Sequence, residues 1–183
     1  MENISISNNQ KILKNFLIVV LGSILLTISA KIKIPFYPVP MTMQTFVVLF
    51  LGISFGYKIA VATVFVYLVE GLLGLPVFSN SPEKGVGLAY FVGPTMGYLI
   101  GFLFAAFFAG YLNFKTNLFV IFLKLILSVF FIYLFGIVWL GILIGWEKPI
   151  FKLGFFPFIY AELFKILLLT ILTSKVIKIR KFI

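Results

Sequence analysis

The stretch NLFVIFLKLILSVFFIYLFGIVWLGIL, Asn117–Leu143, decides the fold. Its single charge is Lys124, close enough to one end to snorkel. A helix over this stretch rises about 40 Å at about 1.5 Å per residue, more than the roughly 30 Å of a bilayer's hydrocarbon core. A soluble helix would carry a polar face, and this run has none. Similar apolar runs lie at about 14–30, 42–56, 58–73, 94–112 and 156–177. Across all 183 residues, 62% are hydrophobic and 11% charged. A soluble domain is about half apolar and a quarter charged. The sequence therefore predicts an all-α integral membrane protein, a bundle of six transmembrane helices in one domain (1–183). A polar segment, 1–13, precedes the helices and a basic tail, 178–183, follows them.

The connections carry their own signals. Pro35, Pro38 and Pro40 forbid a regular helix after the first span. The second span is short, about 22 Å, and opens on Thr42, Gln44 and Thr45, so it should begin below the membrane surface. Glu70, Gly71 and Gly74 close the third, and Pro94 stands where a helix start tolerates proline. Along the fourth, Gly97, Gly101, Ala105 and Ala109 recur every four residues and let another backbone approach closely.

Missing residue types exclude whole chemistries. There is no Cys, His or Asp, and the acids are Glu2, Glu70, Glu83, Glu147 and Glu162. Zinc sites, haem ligation by His, thiol or Ser-His catalysis and aspartate pairs are out of reach, and no cofactor of its own is expected. A phosphate-binding loop is absent too, so work against a gradient must draw on a partner or an ion gradient. The net charge of +10 does not point to nucleic acid. Its lysines flank apolar runs, where they orient helices and meet lipid headgroups. With both termini cytoplasmic, Lys11, Lys14, Lys58, Lys115, Lys175, Lys178, Arg180 and Lys181 lie inside. Lys31, Lys33, Lys84, Lys148 and Lys152 lie outside, and Lys124 and Lys165 fall within spans.

Polar groups below the headgroups carry the functional signal. Glu162 and Lys165 stand at i and i+3, on one face of the sixth helix. A pair without function could be replaced by apolar residues at little cost, which argues for a ligand role. The same orientation places them beside Thr42, Gln44, Thr45, Glu70, Asn80, Glu83 and Lys84. Together with aromatics such as Tyr90 and Tyr98, these form a polar cap over an apolar bundle. It suits a small ligand with an apolar body and a few fixed polar atoms.

At KIPFYPVPMTMQT (33–45), EGLLGLPVFSN (70–80), VGPTMGYLIGF (92–102) and PFIYAELFK (157–165) the sequence resembles the BioY family. These are the biotin-specific substrate-capture (S) components of energy-coupling-factor (ECF) transporters. The resemblance implies a bacterial plasma-membrane protein that binds biotin from outside. A transmembrane coupling subunit and ABC-type ATPases, which hydrolyse the ATP, would act with it. Lys165 matches the family's lysine, and Glu162 replaces its aspartate with one extra methylene. Asn80 and Gln44 match family positions, while Ser23 and Thr27 take those of a small-residue face toward the coupling subunit. The ureido ring would meet Glu162, Lys165 and Asn80, with Thr42, Gln44 or Lys84 at the other polar end. The alternative is a stand-alone secondary transporter or channel for a small organic anion.

Overall fold

The computed structural model describes residues 8–182. The first seven residues of the polar segment, Glu2 among them, and Ile183 of the basic tail lie outside the described residues. Helix α1 (Asn8–Lys31) begins six residues before the expected Lys14, because Asn8 to Lys14 holds no glycine or proline. Beyond it the three prolines sit in the turn of a small antiparallel ribbon. Its strands are β1 (Lys33–Ile34) and β2 (Met41–Thr42), with Lys33 opposite Thr42. Thr42 thus belongs to a strand, and α2 (Gln44–Phe55) starts after it, the Gln44 N–H donating to Thr42 Oγ1 at 3.3 Å.

Gly56, at φ 80°, reverses the chain in one residue into α3 (Tyr57–Leu72). The following segment holds a single turn, α4 (Leu88–Phe91), before α5 (Met96–Tyr111). Asn117 caps α6 (Leu118–Ile144), its side chain accepting from the Val120 N–H at 2.9 Å. The expected sixth helix, 156–177, is built in pieces. A 3-10 turn holding Pro157 opens it, α8 (Ile159–Val176) follows, and a final 3-10 turn, Ile177–Phe182, closes it; a short α7 (Ile150–Gly154) lies before it, in the expected connection.

Asn9–Lys31, Leu118–Ile144 and Ile150–Arg180 are long and apolar enough to cross a bilayer. The other three expected spans are shorter, at 12, 16 and 16 residues for α2, α3 and α5. A helix wrapped by other helices need not match the bilayer, and α2 packs against α1, α3, α5 and α8, with Gln44, Thr45, Val48, Leu49, Leu51, Ile53 and Ser54 all buried.

The small-residue ladder of α5 does its packing inside the chain. A Cβ on Gly101 would stand 2.5 Å from the Cα of Ile132 in α6, and one on Gly97 would strike the Phe135 carbonyl. Gly52 of α2 packs as closely against Ala109. On α1, Ser23 also turns inward. It is buried, its hydroxyl donates to Glu70 Oε1 at 2.9 Å, and half-buried Thr27 donates back to the Ser23 carbonyl at 3.0 Å. Within the chain, Ser23 makes its close approach to α3, where its hydroxyl partners Glu70.

Helices α1, α3 and α6 end where α2, α5 and α8 begin. One end of the bundle thus gathers the ribbon, the segment 73–95 and the segment 145–158.

Candidate functional site

That gathering encloses a cavity of about 530 Å³, counting its open mouth. Val39 to Thr42, Gln44, Thr45, Ser79, Tyr90, Thr95, Tyr98, Tyr133, Phe158 and Glu162 are among its walls. Glu162 comes from the first turn of α8 and is buried. Lys165, one turn on, donates to Glu162 Oε1 at 2.7 Å, to Thr45 Oγ1 at 2.9 Å and to the Thr42 carbonyl at 2.7 Å. The Thr45 hydroxyl in turn donates to Glu162 Oε1 at 3.0 Å. An ammonium has three protons, and all three are used. Pairing, with the ammonium fully hydrogen-bonded, lets both charges stay buried.

The carboxylate is satisfied on one side only. Oε1 takes both donors, while Oε2 is buried without a hydrogen-bond partner. An unpaired buried carboxylate oxygen is costly, so a site that keeps one invites a donor from a ligand. Tyr133 of α6 lines the same cavity, its hydroxyl close to the Glu162 carboxylate.

Not every predicted residue meets at this cavity. Glu162, Thr42 and Gln44 line it, and Lys165 stands behind Glu162. Gln44 Nε2 donates to the Tyr67 hydroxyl at 2.8 Å, and Tyr67 donates to the Val77 carbonyl at 3.2 Å. Gln44 thereby holds the start of the segment that carries Ser79. Asn80 and Lys84 line an adjoining recess that shares Tyr90 and Thr95 with the cavity. The Lys84 ammonium sits 5.4 Å from the ring centre of Tyr37.

Other working residues carried no signal of their own. Lys31 and Lys33, counted only as loop charges, clasp the segment 78–81 to the end of α1. Lys31 Nζ donates to the carbonyls of Phe78 and Ser81 at 2.7 and 2.8 Å. Lys33 Nζ donates to the Ser79 carbonyl at 2.7 Å and to Asn80 Oδ1 at 3.1 Å. This leaves Ser79 with its hydroxyl 3.2 Å from that of Tyr90, both at the cavity. Ser79, Thr95 and Tyr133 are likewise ordinary in the sequence, and the fold alone brings them here.

The model of the BioY family matches residues 2–182. The probable biotin transporter BioY of Pyrococcus horikoshii is 35% identical over 152 residues, covering 83% of this chain and 89% of that protein. The biotin transporter BioY of Thermotoga maritima is 34% identical over 156 residues, covering 85% and 90%. Among solved structures, the crystal structure at 2.1 Å of the S-component for biotin from an ECF-type ABC transporter is similar, with a TM-score of 0.77. Its identity is 27%, and the match covers 95% of each chain.

Proposed function

The chain belongs to the BioY family, and from that premise we propose that it is the biotin-capturing S component of an ECF-type transporter, a transport subunit and not an enzyme. The observation that carries this reading to particular atoms is the buried, partnerless Oε2 of Glu162 at the cavity wall. A ureido ring offers two N–H donors and a carbonyl acceptor, and biotin's remaining ring and chain are apolar up to a carboxylate. Glu162 Oε2 accepts one ureido N–H. Lys165 donates a hydrogen bond to the ureido oxygen in exchange for its bond to Thr45, and Asn80 reaches in from the adjoining recess. Tyr90, Tyr98 and Phe158 cover the apolar body. Thr42, Gln44 or Lys84 meets the carboxylate, and of these Lys84 alone carries the opposite charge.

The chain needs no cofactor of its own. A transmembrane coupling subunit and ABC-type ATPases supply the energy, in keeping with a sequence that has no phosphate-binding loop. It spans a bacterial plasma membrane several times, with both termini cytoplasmic and the cavity outward, as the Lys/Arg bias favours.

Titration of the purified chain in detergent with biotin, riboflavin and thiamine tests the reading. Saturable binding of biotin alone is expected. Binding of either other vitamin in preference to biotin would overturn it.

A further inference from the structure

We propose that the groove at the end of the bundle opposite the cavity is a binding site for the phosphate of an anionic lipid headgroup. The groove, about 900 Å³ counting its open side, lies where the α2–α3 turn, the end of α5, the start of α1 and the last 3-10 turn meet. Asn15, Gly56, Lys58, Tyr111 and Arg180 are among its walls. Nothing in biotin capture uses it.

Arg180 is held in place before any ligand arrives. Its Nη2 donates to the Gly52 carbonyl at 2.9 Å and to the Gly110 carbonyl at 3.1 Å, near the ends of α2 and α5. Those acceptors are neutral, so they position the guanidinium without cancelling its charge. Its Nε is buried and has no hydrogen-bond partner. A guanidinium fixed this way at the groove wall, its charge not cancelled by its neutral acceptors, is a ready phosphate contact. Exposed Lys58 adds a second cation at the rim, and Asn15 adds an amide.

No carboxylate among the described residues balances these charges. The described acids, Glu70, Glu83, Glu147 and Glu162, all lie toward the cavity end. The opposite end carries Lys11, Lys14, Lys58, Lys115, Lys175, Lys178 and Arg180. Beside the groove Tyr57, Phe107 and Tyr111 pack ring on ring, with centroids 5.4 to 6.0 Å apart, and Tyr111 is 65% exposed. Exposed tyrosines at helix ends mark headgroup depth. A basic groove at that depth, between helices and with no carboxylate among its walls, selects anionic lipid over zwitterionic lipid.

Native mass spectrometry of the full chain, given equal phosphatidylglycerol and phosphatidylcholine, tests this. Wild type should retain phosphatidylglycerol preferentially. Lys58→Gln should weaken that preference about fivefold and Arg180→Gln/Lys58→Gln about 30-fold, with biotin binding unchanged as the measure of folding. Lys115→Gln/Lys175→Gln, which removes as much charge from the same end but outside the groove, should keep the preference. Equal retention of the two lipids by wild type would overturn the proposal, and so would equal losses in the two double variants. Displacement of phosphatidylglycerol by millimolar inorganic phosphate would reassign the site to a free anion. Unchanged lipid retention in Arg180→Gln/Lys58→Gln, with loss of co-purifying ATPase or coupling subunit, would reassign it to an acidic protein face.

Discussion

The two oxygens of Glu162 have different tasks. Oε1 is saturated by Lys165 and Thr45, and Oε2, buried without a partner, is the atom that the proposed mode gives to a ligand donor. Glu162→Gln separates them. The amide oxygen can still accept from Lys165, which turns the NH₂ group toward the cavity, where it opposes a ureido N–H. Losing a charge-assisted hydrogen bond and gaining a donor-donor clash should weaken biotin binding by at least about 30-fold. Isothermal titration of variant and wild type measures it, and equal affinities would remove Glu162 from the ligand. Lys165→Ala acts on both ligand and fold. It removes the partner of a buried carboxylate, at a cost to stability of about 3–5 kcal/mol. A lower melting temperature together with lost biotin binding is expected, and unchanged affinity would end the role given to this pair. Glu162 and Lys165 were legible in the sequence because two charges three residues apart in an apolar helix are costly and share a face. Tyr133 was not legible. In a chain whose lipid-facing and core-facing sides are both apolar, periodicity does not say which aromatics point inward.

Two lysines grip the segment 78–81 from α1 and β1 and hold it at the cavity. Five of their hydrogen bonds end on this segment, three of them on backbone carbonyls, so they fix its path largely whatever the side chains along it. Lys31→Met/Lys33→Met frees that path while leaving Glu162, Lys165 and Thr45 intact. Biotin should then dissociate about tenfold faster with association nearly unchanged, since a loosened wall affects retention more than encounter. Stopped-flow binding separates the two rates, and hydrogen exchange at residues 78–85 should rise in parallel. Equal dissociation rates would show that the clasp is unrelated to retention. The same clasp explains a limit of sequence reading. Lys31 and Lys33 looked like loop charges for orientation because their partners are backbone carbonyls some 46 to 50 residues away, and no local spacing signals such contacts. The apolar runs themselves were plain, yet the brevity of α2 and the pieces of α7 and α8 depend on what surrounds them.

At the scale of the molecule, charge divides the bundle: the described acids stand toward the cavity end, and the opposite end carries most of the described lysines and Arg180. Such polarity orients a membrane protein, because cytoplasmic loops hold the excess of Lys and Arg. It also separates the two transport readings. A stand-alone secondary transporter must open its substrate site to both sides in turn, whereas an S component can carry its cavity at one end and leave movement to partners. Because the chain has no cysteine, single cysteines can be placed without a background. Lys148→Cys, exposed in the segment after α6, should react in intact cells with a membrane-impermeant maleimide. Lys115→Cys, exposed between α5 and α6, should react only after the membrane is permeabilised. The reverse pattern would turn the cavity toward the cytoplasm, and with it the direction of capture, since a ligand taken up from outside must find Glu162 from the outer face.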